Sequence, residues 1–278
     1  MLLREFIDRG ESRLADLYPA AEARSIVLIL CSELLGTESY THIIEPGTVV
    51  PPEKVEALES ALLRLAEGEP VQYVVGRAEF FGRSFNVAPG VLIPRPETEE
   101  LVELALRYVP EGGRVLDLCT GSGCIAWSVA LESRAAQVVG VDISDEALDL
   151  ARSQYVDGRV SFRKQDVLGE IPGDLGKFDL ILSNPPYIMK SQKSQMRRNV
   201  LDFEPGLALF VPDDDPLRFY KAVGRWCSEL LVDGGKAVVE INDELGGETF
   251  RLFRDMHFSD VQLINDISGK NRLVIFSK

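Results

Sequence analysis

From Arg114 to the C-terminus the sequence alternates between short apolar, β-prone runs and amphipathic helical patterns, and this alternation restricts the fold more than any other feature. Strands are expected over 115–118, 138–141, 160–164, 179–183, 236–241, 261–264 and 273–276, with helices over 125–131, 146–155, 217–231 and 247–256. Repeated strand–helix–strand order predicts an α/β fold, a doubly wound parallel sheet with helices on both faces. Only residues 265–272 separate the last two strands. That is too short for a crossover helix, so an antiparallel hairpin is expected at one edge.

The chain before this region reads differently. Leu3, Phe6, Ile7 and Leu14 recur at helical spacing, as do Val55, Leu58, Leu62 and Leu65 after a Pro51-Pro52-Glu53 helix start. Aromatic, β-prone residues from Glu79 to Val87 surround Gly82 and predict a hairpin. Pro89-Gly90, Pro94 and Pro96 then mark an interdomain boundary, and Glu97-Thr98-Glu99-Glu100 opens a helix with acids in its first turn. The expected division is a helical domain over 1–72, a hairpin linker over 73–92 and the α/β domain over 93–278.

Charge and cysteine content exclude several functions. Among 278 residues, 30 are Lys or Arg and 44 are Asp or Glu, a net charge of −14. So acidic a body repels phosphate and counts against a general duplex-DNA binder; no direct nucleic-acid partner is expected. The longest apolar run, residues 26–31, is far below the roughly 18 residues of a membrane span, and charges interrupt the first eight residues where a signal peptide needs an apolar stretch. A cytoplasmic location is expected. Cys31, Cys119, Cys124 and Cys227 form no C-x-x-C pair, and His42 and His257 are the only histidines. Neither a disulfide framework nor a metal site is expected.

The first strand of the sheet runs into Asp117-Leu118-Cys119-Thr120-Gly121-Ser122-Gly123. Two glycines at a strand-to-helix turn let the backbone approach a ligand, beside the unpaired amides of a helix N-terminus. Asp142 follows the second strand, placed to accept the hydroxyls of a ribose. Gly121-x-Gly123-x-x-Ala126 also satisfies a dinucleotide fingerprint, so hydride transfer stays open at this point. The fourth strand ends in Asn184-Pro185-Pro186-Tyr187. Consecutive prolines fix the backbone twice and remove two donors, leaving carbonyl acceptors, while Asn184 adds an acceptor and Tyr187 a flat face. Acceptors beside an aromatic plane suit a planar group bearing NH2: adenine, cytosine or a carboxamide.

The Gly-rich loop, the downstream Asp and the Asn-Pro-Pro-Tyr box together resemble S-adenosylmethionine-dependent amino-methyltransferases. Gln72-Tyr73 with Gly76, Phe80-x-Gly82, Phe85-x-Val87 and Pro94-Arg95-Pro96-Glu97-Thr98-Glu99 resemble, more narrowly, the PrmC/HemK family of release factor glutamine methyltransferases. The related ribosomal-protein glutamine methyltransferases usually carry Pro-Arg-Ser in place of Pro94-Arg95-Pro96. Cys119 stands where many members have Gly, Val167 replaces an aromatic residue of some relatives, and residues 210–215 occupy a turn that is usually glycine-rich.

The resemblance implies a seven-stranded class I methyltransferase sheet of Rossmann-like topology, preceded by a helical substrate-recognition domain. It implies S-adenosylmethionine as methyl donor, S-adenosylhomocysteine as product, and the glutamine of the GGQ motif of class-1 peptide chain release factors as substrate. Asn184, Pro185, Pro186 and Tyr187 are then the catalytic residues, with Asn184 and the Pro185 carbonyl accepting the two amide hydrogens and Tyr187 packing against the amide. Asp117, Cys119, Thr120, Gly121, Ser122, Gly123, Asp142, Asp166, Val167 and Asn184 are the expected cofactor contacts, with Asp142 on the ribose and Asp166-Val167 beside the adenine. A monomer is expected. An adenine methyltransferase and a non-catalytic nucleoside-binding regulator are the alternatives from other classes. The cationic stretch Lys190, Lys193, Arg197 and Arg198 is expected to face acidic surface on the protein substrate.

Overall fold

A computed structural model describes residues 1–278, which cluster into two compact units. The first comprises Met1–Arg77 together with Arg197–Phe203 and is helical. Helices Leu3–Leu14, Ala20–Leu35 and Pro52–Ala66 form its body, with short helices Thr41–Ile44 and Val71–Val75. Leu3, Phe6, Ile7, Leu14, Leu58, Leu62 and Leu65 are all buried in one apolar cluster, so the helical spacing in the sequence marks the inward faces. Gly10 is required by close helix approach: a Cβ there would lie 2.8 Å from the Val27 side chain.

The second unit comprises Ala78–Met196 and Glu204–Lys278. Strands β1 (Arg77–Phe80) and β2 (Arg83–Asn86) form the expected hairpin. Phe81 and Gly82 both have positive φ, 50° and 67°, the backbone of a tight two-residue turn matched to strand twist. Phe85 meets Tyr155 edge to face at 5.4 Å, and Gln154 exchanges two hydrogen bonds with the Asn86 backbone, so the hairpin is fastened to helix Asp145–Gln154.

The main sheet contains β3 (Arg114–Leu118), β4 (Gln137–Asp142), β5 (Val160–Lys164), β6 (Phe178–Ser183), β9 (Leu231–Glu240), β10 (Ser259–Asn265) and β11 (Asn271–Ser277). Its order is β10-β11-β9-β6-β3-β4-β5. The strands from β5 to β9 pair in parallel, whereas β11 is antiparallel to both neighbours, as the short 265–272 connection requires. Two apolar clusters lie on opposite faces: Leu116, Leu118 and Ile181 point into one, Val115, Leu180 and Leu182 into the other. Covering on both faces explains why β3 and β6 read as nearly continuous apolar runs. Two-residue strands β7 (Ile188–Met189) and β8 (Phe210–Val211) pair in parallel beyond the Asn-Pro-Pro-Tyr box.

Register places the loops that matter side by side. Leu118 pairs with Val141 and with Ser183, Asp142 with Lys164, and Ser183 with Val239. The next residues, Cys119, Asp142, Gln165, Asn184 and Glu240, therefore emerge together at the carboxyl edge, where open α/β sheets bind ligands. The Ser183 hydroxyl donates to the Leu118 carbonyl at 2.9 Å and locks two of these loops together.

Candidate active site

A cavity of about 350 Å³ opens at this edge. Cys119, Thr120, Gly121, Ser122, Asp142, Asp166, Val167, Asn184 and Pro186 line it. Asp117, Gly123, Pro185 and Tyr187 do not line it. Asp117 lies beneath the loop, fully buried, accepting from the Thr120 hydroxyl at 2.5 Å. Its burial pushes the carboxyl up to about 7 against the pull of Thr120 and of the Ala126 backbone amide, while Asp142 adds to the rise.

The turn after β3 depends on left-handed backbone. Cys119, Gly121 and Gly123 have φ of 61°, 54° and 79°. Cys119 thus carries a side chain at a position where glycine is the low-strain residue. The two glycines serve different ends. A Cβ on Gly121 meets nothing within 4 Å, leaving open space at the cavity wall, whereas a Cβ on Gly123 would press Ala151 at 2.9 Å. Gly121 shapes the ligand surface and Gly123 permits helix packing.

Asp142 accepts from the Gly121 amide at 2.9 Å and the Ser144 amide at 3.0 Å. Burial raises its pKa against those backbone hydrogen bonds. Asp166 accepts from the Leu168 amide at 2.8 Å. The Val167 side chain belongs to the apolar core and its carbonyl accepts from the Trp226 indole at 3.0 Å. Ile143, Ala147, Val167 and Leu168 supply an aliphatic lining to this end of the cavity.

At the other end, the Asn184 side-chain nitrogen donates to the Thr98 hydroxyl at 3.1 Å, and Thr98 donates to Glu240 at 2.7 Å. Tyr187 donates its phenol to the other Glu240 oxygen at 2.9 Å. The Tyr187 hydroxyl is thereby committed to Glu240, and its partly buried ring packs on the core.

The proline-rich stretch expected at the interdomain boundary lies within the second unit. Gly90, Val91, Leu92, Ile93, Pro94 and Arg95 form a wall of the cavity. Arg95, the only Lys or Arg among the lining residues, is held at 2.6 Å by buried Glu204, which also accepts from the Ile93 amide. Sequence reading missed this wall, although the Pro94–Glu99 motif was its signal; Phe219 and Leu207, also in the lining, had none.

The cationic stretch is engaged by the protein's own groups. Lys193 stacks on the Phe210 ring at 4.3 Å, and Ser191 bonds Asp213 through both its amide and its hydroxyl. Arg197 pairs with Glu22 and Arg198 with Asp202.

Parallel strands ending around one cavity, a glycine loop and an acidic residue after the next strand make a Rossmann-like nucleotide site, and the order β10-β11-β9-β6-β3-β4-β5 with antiparallel β11 is that of the seven-stranded methyltransferase class. The model "Methyltransferase small domain" matches residues 98–202, and "PrmC N-terminal domain" matches residues 5–76. A methyltransferase structure from Pyrococcus furiosus shares the fold, with a TM-score of 0.52 at 18% identity over 79% of this chain and 98% of that one. The chain belongs to the release factor glutamine methyltransferase family. A member from Bacteroides thetaiotaomicron is 44% identical over 94% of this chain and 95% of its own length, and one from Streptococcus pneumoniae is 40% identical over 99% and 98%.

Proposed function

We propose that this chain methylates the side-chain amide nitrogen of a glutamine in a class-1 peptide chain release factor, using S-adenosylmethionine. The observation that carries the reading is the Asn184 amide: its nitrogen is committed to Thr98, which leaves its oxygen at the cavity as an acceptor for an NH2 group.

The lining suits the donor. Asp142 has both carboxylate oxygens fixed by backbone amides and keeps lone pairs for ribose hydroxyls. Open space at Gly121 admits the methionyl portion, and the aliphatic lining from Ile143 to Leu168 suits the adenine. When bound, S-adenosylmethionine supplies a methyl group on a positively charged sulfur.

An amide nitrogen is a poor nucleophile because its lone pair is delocalised into the carbonyl, so the protein's main task is placement. Asn184 Oδ1 accepts one amide hydrogen at the cavity, and the family resemblance assigns the other to the carbonyl of Pro185, the next residue along the loop. Both bonds strengthen as positive charge develops on the nitrogen, which favours the transition state over the ground state. Pro186 keeps the loop rigid. The helical segment 1–72 is assigned recognition of the protein substrate, consistent with the exposed Tyr40, Ile43, Ile44 and Val49. The reading places the enzyme in the cytoplasm with its substrate; no helix is long and apolar enough to cross a membrane.

Incubation with methyl-labelled S-adenosylmethionine and, separately, a class-1 release factor, ribosomal proteins and DNA tests the reading. Label on the release factor alone is expected. Label only on a ribosomal protein or on DNA overturns it.

A further inference from the structure

Glu240 ends β9 and is buried at 1% exposure, with no ion-pair partner in contact. Each of its oxygens takes one hydroxyl, Thr98 at 2.7 Å and Tyr187 at 2.9 Å. A buried carboxylate without compensating hydrogen bonds is costly, and an acid held in a strand beside the reacting loop calls for a role.

A carboxylate can only accept. The Thr98 proton therefore points to Glu240, and the Thr98 oxygen must use a lone pair toward Asn184, accepting its Nδ2 hydrogen at 3.1 Å. That settles which way round the Asn184 amide stands: Nδ2 toward Thr98, Oδ1 toward the cavity. Reversed, the side chain would present an NH2 to an incoming NH2, donor against donor. Asn184 alone has no means of choosing, because the two ends of a carboxamide are nearly the same size.

We propose that Glu240, acting through Thr98, is a positioning residue that sets the polarity of the Asn184 amide and so makes the site selective for a hydrogen-bond-donating NH2 group. Tyr187 shares the device by holding the second Glu240 oxygen, which ties the far end of the Asn-Pro-Pro-Tyr box to the same anion. Asn242 extends it, donating through its side chain to the Tyr187 carbonyl at 3.1 Å and through its backbone amide to the Tyr220 hydroxyl at 2.9 Å. The proposal rests on the function proposed above and adds to it the residues that orient the acceptor.

The test compares wild type with Thr98→Val, Thr98→Ser and Glu240→Gln in methyl transfer to intact release factor, with S-adenosylhomocysteine affinity and melting temperature measured on each. Valine keeps the shape and removes the hydroxyl; serine keeps the hydroxyl. Thr98→Val should lower kcat roughly tenfold or more, the scale of one lost buried hydrogen bond, with S-adenosylhomocysteine affinity within about twofold of wild type. Thr98→Ser should restore most of the turnover. In Glu240→Gln, the new amide can donate to Thr98 and let the relay reverse, so kcat should again fall while cofactor affinity holds. Wild-type kcat in Thr98→Val or in Glu240→Gln would overturn the relay while the functional reading stood. Equal loss of turnover and cofactor affinity in Thr98→Val, or failure of serine to rescue, would show a packing role and also overturn it. If Thr98→Val does not fold, Glu240→Gln decides alone, since it keeps every heavy-atom position. A wild-type enzyme inactive on the release factor would instead defeat the functional reading on which the relay rests.

Discussion

The backbone amide of Gly121 donates to the Asp142 carboxylate at 2.9 Å, so the turn after β3 is shaped by the residue that closes β4. The carboxylate organises the loop and faces the cavity at once. Asp142→Ala should weaken S-adenosylhomocysteine binding by about 1.5–3 kcal/mol, the worth of hydrogen bonds to a charged group. Titration calorimetry reads this directly, and unchanged affinity would remove Asp142 from the ribose site.

The two glycines of the same turn should separate affinity from stability. Gly123→Ala combines left-handed backbone with a 2.9 Å contact to Ala151 and should cost on the order of 2–4 kcal/mol in urea unfolding. Gly121→Ala meets no protein atom and should cost only about 1–2 kcal/mol, with the larger loss in cofactor affinity. Equal stability losses would contradict this division.

Asp117 should leave a signature in the pH dependence of folding. Its burial pushes the folded carboxyl up to about 7 from an ordinary value of 3.8. An acid raised on folding takes up a proton, so its contribution is full below the ordinary carboxylate range and is lost as pH rises toward about 7. Asp117→Asn removes that loss. The variant should gain stability relative to wild type progressively between about pH 4 and 7 and keep the gain above it. A constant difference across a pH series of urea unfolding curves would refute the assignment.

Asn184→Ala should lower turnover by roughly 10²-fold or more, the scale of removing one positioned polar group at a reacting centre. Steady-state kinetics with near-wild-type turnover would remove Asn184 from the chemistry.

Much of the sheet was legible because its strands are apolar runs punctuated by turns, a local signal. β5 lies where expected, and β3, β4, β6, β10 and β11 differ from expectation by one or two residues at their ends. β9 begins at Leu231, five residues earlier than expected, because Asp233-Gly234-Gly235 has turn chemistry while its backbone continues the strand. Gly121 and Asp142 were readable from spacing along one strand–helix–strand unit. Glu240 was not: it closes an apolar strand like any edge-of-core acid, and only the Ser183–Val239 pairing puts it beside Asn184. The place of Gly90–Arg95 in the cavity wall was not legible for a related reason. Prolines mark irregular backbone, and nothing local says whether irregular backbone links domains or walls a cavity.

The central claim concerns one nitrogen atom. After incubation with S-adenosylmethionine, a class-1 release factor should be digested and its GGQ peptide sequenced by tandem mass spectrometry. A single added methyl on the glutamine side-chain amide, absent when Asn184→Ala replaces the wild-type enzyme, is the predicted result. An unmodified GGQ glutamine, or a methyl carried on any other residue, would contradict it.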